Sequence, residues 1–245
     1  MKKLTAIFIL LFPLISFTDS KCQISKGVII VELFTAEGCS SCPPADELLK
    51  EMPDILNKED KNVIGISFHV TYWNKLGWED PYSNEQFTDR QKKYVAKLNL
   101  PQLYTPQAIV NGEAEFVGSN PIAFRDLVMA ASGKSSAYEI TSQVMNENGK
   151  IFLSYDLNHD PKNIVMNIAI VEKDVVHFIP QGENKGRTLK HTNVVIAFET
   201  IVPQKSGKVS ITWPEGLAKE KGSIILYTQN SKSLKINGAT KLDLK

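Results

Sequence analysis

Two segments, "GVIIVELF" from Gly27 to Phe34 and "NVIGISFHV" from Asn62 to Val70, are nearly unbroken runs of β-branched and aromatic residues. A strand that is apolar at almost every position has both faces buried, so each must lie inside a sheet covered on both sides. The stretch between them, "PADELLKEMPDILNKEDKN", places Ala45, Leu48, Leu49, Met52, Ile55 and Leu56 at helical spacing, with Pro53 as an expected kink. Strand, covering helix and strand in that order restrict this part of the chain to an α/β arrangement.

Beyond a polar and aromatic connection, "TYWNKLGWEDPYS", the segment "NEQFTDRQKKYVAKLN" predicts a second helix with Phe87, Tyr94, Val95 and Leu98 on one face. "PQAIVNGEAEFVGS" predicts two short strands around Asn111-Gly112, a dipeptide suited to a hairpin turn. "NPIAFRDLVMAAS" predicts a third helix, capped by Asn120, with Pro121 at its first position and Gly133 beyond its end. An alternating start with a hairpin finish implies a mixed sheet flanked by helices.

Past about Ser135 the helical period disappears. "YEITSQVMNENGKIFLSYDLN", "NIVMNIAIVEKDVVHFI", "NVVIAFETIV", "GKVSITW" and "GSIILYTQN" are short, partly alternating runs separated by turn dipeptides. The expectation is an all-β sandwich of roughly six to eight strands. The predicted fold class is therefore α/β plus all-β, with a mixed-sheet domain over 27–134 and a β-sandwich domain over 135–245.

The start of the chain has a different character. Met1-Lys-Lys followed by the apolar run Leu4–Phe17 has the layout of a secretory signal peptide, expected over 1–20, with cleavage near Thr18 or Ser20. The run is shorter than the roughly 20 residues of a comfortable membrane span. An uncleaved N-terminal anchor is the alternative. Cys22 lies close to the cut, but Asp19-Ser-Lys21 lacks the small apolar residues of a lipoprotein signal, so lipidation is not expected. Export places the mature protein in the periplasm or outside the cell, with no stable transmembrane span.

With 245 residues, 42% of them hydrophobic, and a formal net charge of +1, the chain has the core of a globular protein and no basic footprint for nucleic acid. Its three cysteines, Cys22, Cys39 and Cys42, are too few for a multi-bridge scaffold. Four histidines are scattered without a second cysteine pair, so no metal and no organic cofactor are expected.

The chemistry that remains is in "AEGCSSCPPAD", Ala36 to Asp46. Cys39 and Cys42 lie at a strand-to-helix junction, where free backbone N–H groups and the helix dipole favour a thiolate. Pro43 and Pro44 are tolerated only in or near a first helical turn, so the helix should begin within Cys39–Cys42. Across two intervening residues, Cys42 can attack a mixed disulfide formed on Cys39. Dithiol exchange, an inert stapling disulfide and metal binding are the three readings of the pair.

Strand, "CSSCPP", helix, strand, helix and then "YTPQAIVNG" resembles the thioredoxin superfamily. Together with "VELFTAEGCSSCPPAD" and "NKGRTLKHTNVV", the pattern resembles the exported family known as domain of unknown function 1223. The thioredoxin-like resemblance implies that Cys39 is the nucleophile, that Cys42 resolves, and that Pro106 is a cis-proline beside them, leaving the backbone of Thr105 to bind an extended substrate. Protein or small-molecule thiols and an unknown redox partner are the implied partners.

Candidate modulators of the pair are Glu32, Glu37 and His69. Glu32 is offset by one residue from the position of the carboxylate in thioredoxin-like reductases, and a one-residue shift reverses a strand side chain's face. Glu37 precedes the pair, and His69 ends the second strand at the same sheet edge. Trp73, Trp78, Tyr72 and Tyr82 are expected to pack their own loop, with a peptide groove as the alternative, and Arg187, Lys190 and His191 to occupy a solvated loop, with anion binding or docking against the first domain as the alternatives. Ser40-Ser41 leaves the direction of electron flow open. The alternative function is a non-enzymatic interaction protein with a structural disulfide.

Overall fold

A computed structural model describes residues 27–147 and 150–244 of the chain. The expected signal peptide and Cys22 lie outside these residues.

The first half follows the predicted order: β1 (Ile29–Thr35), α1 (Pro43–Asn57), β2 (Val63–His69), α2 (Glu85–Lys97), β3 (Gln107–Val110), β4 (Ala114–Val117) and α3 (Pro121–Ser132). β1 pairs parallel with β2 and antiparallel with β3, which pairs antiparallel with β4. Every residue of β1 is buried, as its composition requires. Alternate side chains serve two cores. Ile29, Val31 and Leu33 pack with Ala45 and Leu49 of α1 and with Phe124 and Val128 of α3. Ile30, Phe34 and Ala36 lie in a second core with Ile66, Phe68, Phe87 and Tyr94. Each such fully buried aliphatic or aromatic side chain contributes about 1.5–3 kcal/mol.

The second half contains β5 (Ile140–Glu147), β6 (Lys150–Leu157), β7 (Ile164–Phe178), β8 (Thr188–Ile201), β9 (Ser206–Ile211), β10 (Gly222–Asn230) and β11 (Ile236–Asp243). The predicted absence of helices holds for α-helices among the described residues here; a short 3-10 turn covers Lys219–Lys221. β5, β6 and β9 form a three-stranded antiparallel sheet. The other four strands join the first half in one eight-stranded sheet of order β11-β10-β7-β8-β2-β1-β3-β4. The architecture is thus a large mixed sheet, a second antiparallel sheet and few helices.

The change of pattern near Ser135 falls between α3 and β5, yet the large sheet crosses it. β2 and β8 meet in parallel at Ser67 and Val194. Asn111 adds a second tie: its side chain accepts from the Ile30 amide at 2.8 Å, and its carbonyl accepts from the Ile236 amide at 2.8 Å. Periodicity reports which faces of a strand are apolar, not which edge the strand pairs with, so the shared sheet was not visible in the sequence. The small sheet packs Leu153, Leu157 and Ile211 against Met166, Ile168, Ile224 and Leu226 of β7 and β10. Among the described residues, no helix is long and apolar enough to cross a membrane.

Candidate functional site at the Cys39–Cys42 turn

α1 starts at Pro43 with Cys42 as its N-cap, at the edge of the predicted window. Pro43 and Pro44 have no amide hydrogens to lose, and the first helical bonds run from the Ala45 and Asp46 amides to the Cys42 carbonyl at 2.8 and 3.2 Å. Cys39 and Cys42 are joined in a disulfide with a Cα–Cα distance of 5.4 Å. Both residues are fully buried, whereas Ser40 and Ser41 between them are exposed.

Thr105 and Pro106 are brought to the pair as expected. The Thr105–Pro106 bond is cis, and the Thr105 hydroxyl donates to Cys39 Sγ at 3.3 Å. Trp73 Nε1 donates to Thr105 Oγ1 at 2.7 Å, and Gln91 of α2 donates to the Tyr104 carbonyl at 2.7 Å. Trp73 thus reaches out of its own loop to the site, further than loop packing predicts. Tyr72 lies behind it, donating to Gln91 at 3.3 Å, and burial pushes its phenol up to about 12.

Glu32 is placed elsewhere. Its carboxylate accepts from Arg90 Nε at 2.8 Å, from Tyr227 at 2.9 Å and from Tyr94. Arg90 is surrounded by the rings of Phe68, Tyr94, Phe198 and Tyr227 at 5.1–5.6 Å. This node joins β1 and α2 to β8 and β10, so Glu32 binds the two halves together, and neither cysteine is among its hydrogen-bonding partners.

Glu37 and His69 enter a different buried cluster beside the disulfide. Glu37 accepts from Trp78 Nε1 at 2.8 Å and lies 2.7 Å from His177 Nδ1 of β7. His69 Nδ1 lies 2.7 Å from Asp80, whose carboxylate also accepts from the Glu37 amide at 2.8 Å. Burial alone pulls the His69 imidazole down, but the charge and hydrogen bond of Asp80 outweigh it and leave its pKa raised. Burial pushes Asp80 the other way, and His69 together with the amides of Glu37 and Tyr82 bring it below its usual range. His191 of β8 packs 4.7 Å from His69, centroid to centroid. Its Nε2 is 3.7 Å from Glu37, and its Nδ1 is 3.4 Å from Asp46 in the first turn of α1.

The loop over 179–187, between β7 and β8, lies across the cysteine turn. Asn184 is fully buried and donates through Nδ2 to the carbonyls of Glu37 at 2.8 Å and Cys39 at 3.0 Å. Arg187 holds the Asn184 amide oxygen at 2.8 Å. Glu183 accepts from the Ser40 amide at 3.1 Å, and hydrogen bonds from Ser40 lower its pKa. This segment was expected to be a solvated loop; its contacts correct that reading. Arg187 and Lys190 remain exposed while His191 is buried, so the three do not form one basic cluster.

Asp46, Asp80, His177, Asn184 and His191 were not singled out as site residues in the sequence. Asp46 alone carried a local signal, one helical turn beyond Cys42. The others arrive through the long connection after β2 and through the β7–β8 hairpin. Among the described residues, no group of three or more His, Cys, Asp or Glu side chains is arranged to hold a metal ion.

The family model described as protein of unknown function (DUF1223) matches residues 30–229, which include the turn, the Thr105–Pro106 segment and the covering loop. The chain belongs to this family. Its structure is similar to the crystal structure of protein AGR_C_4864 from Agrobacterium tumefaciens, with 27% identity and a TM-score of 0.64 over 87% of this chain and 93% of that one. A domain of the outer membrane lipoprotein Omp28 from Porphyromonas gingivalis also matches, at 11% identity and a TM-score of 0.28 over 45% of this chain and 89% of that one, too low to carry an argument. No curated protein matches the sequence.

Proposed function

We propose that this DUF1223 chain is an exported thiol-disulfide oxidoreductase with a thioredoxin-like core. In this reading Cys39 is the sulfur attacked by substrate, Cys42 is the resolving sulfur, and the Thr105 backbone holds an extended thiol substrate. The observation that carries the proposal is the placement of the disulfide at the start of α1, with the Thr105 hydroxyl 3.3 Å from Cys39 Sγ. An N-terminal helix end stabilises the thiolate that leaves when the disulfide is attacked. The basic, apolar N-terminal segment supports export to a compartment in which such a pair cycles.

One observation favours the second reading, a structural disulfide in an interaction protein: both cysteines are fully buried beneath Asn184 and Thr105. Exchange then requires the 179–187 loop to move away from the turn. The discriminating experiment is reaction of the reduced Cys42→Ala variant with disulfide-containing peptide substrates, followed by mass spectrometry. A mixed disulfide on Cys39 is expected. Absence of any Cys39 adduct, with the variant folded, favours the structural reading.

A further inference from the structure

We propose that Asp46, His191, Glu37 and His177 form a proton relay between solvent and Cys42. This inference rests on the thiol-exchange reading and adds a route for the protons that the reaction must move.

The four side chains alternate between carboxylate and imidazole and come from four parts of the chain. His177 of β7 is the outer member, with 32% of its side chain exposed, and its Nδ1 lies 2.7 Å from Glu37 Oε1. The same oxygen lies 3.7 Å from His191 Nε2, and His191 Nδ1 lies 3.4 Å from Asp46 Oδ1. Glu37 and Asp46 bracket the cysteine pair in sequence and meet again on opposite nitrogens of one ring. Asp46 is one turn along α1 from Cys42, with its amide on the Cys42 carbonyl at 3.2 Å.

Both nitrogens of His191 and Oδ1 of Asp46 are buried without a hydrogen-bond partner. Buried polar groups are normally paired, so three orphaned atoms in one contact need an explanation. The two gaps, 3.4 and 3.7 Å, are slightly longer than hydrogen bonds. A small side-chain rotation closes them. Imidazole accepts a proton on one nitrogen and releases one from the other, so the alternating order conducts without any residue leaving its place.

The groups facing this chain are accounted for. Thr35 of β1 donates to Asp46 Oδ2 at 3.2 Å, and Trp78 donates to Glu37 Oε2. His69 of β2 faces His191; its Nδ1 is paired with Asp80 and its Nε2 is buried without a hydrogen-bond partner, while Tyr82 lies edge-on to His69 and His177. Glu172 of β7 acts on Tyr82, and Lys50 of α1 is paired with Asp174 of β7 at 2.7 Å.

The chemistry requires such a route in either direction. When a substrate thiolate attacks Cys39 Sγ, a substrate–Cys39 bond forms, the Cys39–Cys42 bond breaks, and its electron pair leaves on Cys42 Sγ, which takes a proton. A second substrate thiolate then attacks the substrate sulfur of the mixed disulfide and expels Cys39 as a thiolate that is protonated in turn. The substrate dithiol is oxidised, the protein disulfide is reduced, and two protons pass from the substrate thiols to the cysteines. Cys42 is fully buried, and when the 179–187 loop moves off Cys39 while Cys42 stays covered, the proton of Cys42 crosses the protein. Asp46, four residues along α1 from Cys42 and so on the same helical face, is assigned by that position as the terminal donor to Cys42 and, on reoxidation, as the first acceptor.

The test is single-turnover reduction of the disulfide by dithiothreitol from pH 5 to 9, in wild type, His191→Gln and His177→Gln. The expected result is a rate at least about tenfold lower at neutral pH in both variants, with an altered pH profile and unchanged circular dichroism. A merely structural role for His177, a third of whose side chain is exposed, would leave the shape of the pH profile unchanged. His177→Gln also remains informative if His191→Gln fails to fold. Wild-type rates and profiles in His177→Gln, or in both variants, overturn the relay alone. Stoichiometric metal in the purified protein overturns it as well, because the imidazole nitrogens would be occupied. A folded wild type inert to the thiol overturns both the relay and the exchange reading.

Discussion

Replacing Asn184 by Ala should open the covering loop and expose the disulfide. Asn184 Nδ2 serves two buried carbonyls, those of Glu37 and Cys39, at 2.8 and 3.0 Å. A typical hydrogen bond contributes about 0.5–1.5 kcal/mol net, and a buried acceptor left without a donor costs about 1–3 kcal/mol. Loss of both bonds therefore lowers the free energy of opening the loop by about 2–3 kcal/mol, since the orphaned carbonyls recover water when the loop departs. At about 1.4 kcal/mol per factor of ten, the open population rises on the order of 30- to 140-fold. Reduction by dithiothreitol, followed by quenched alkylation and intact-mass analysis, should accelerate by that factor while urea unfolding shows the global fold retained. A rate within twofold of wild type would refute the reasoning, because it would mean that the loop does not control access to Cys39.

Other outcomes follow from the same contacts. Arg90→Met leaves Glu32 buried without its cation and should destabilise the fold by about 3–5 kcal/mol in urea unfolding; a loss under 1 kcal/mol would contradict the role given to this node. The raised pKa of His69 means that its contribution to stability is complete below about pH 6.5 and is lost as pH rises through the folded-state value. Wild type should therefore lose stability relative to His69→Gln between neutral and alkaline pH, as read by urea midpoints. Gly112 has φ +69°, and a Cβ there would collide with the Leu234 carbonyl of the β10–β11 turn. Gly112→Ala should cost more than about 1 kcal/mol, and a neutral effect would dispute the packing of that hairpin against β11.

The elements of the first half were legible because each has a local cause. The apolar runs of β1 and β2, the proline pair at the start of α1, Asn120 and Asn111-Gly112 act within a few residues of themselves. The joining of β8 to β2 was not legible, since either edge of an apolar strand satisfies the same pattern. The site divides along the same line. Cys39, Cys42 and Thr105–Pro106 stand out by spacing and motif, and they meet in space. Glu32 was visible as a buried carboxylate on β1, but its partners Arg90 and Tyr227 lie 58 and 195 residues away. Asn184 and His191 belong to "NKGRTLKHTN", which looks like an ordinary polar turn until β7 and β8 fold it over the cysteines.

The central claim concerns the Cys39–Cys42 pair, and its reduction potential tests that claim most directly. The purified protein is equilibrated in graded dithiothreitol and glutathione buffers, and the oxidised fraction is read by alkylation and mass spectrometry. An exchange-competent pair is predicted to fall between about −270 and −120 mV, the range spanned by thioredoxin-like oxidoreductases. A value below about −300 mV, typical of structural disulfides in secreted proteins, would contradict the account and assign the bond to holding the turn.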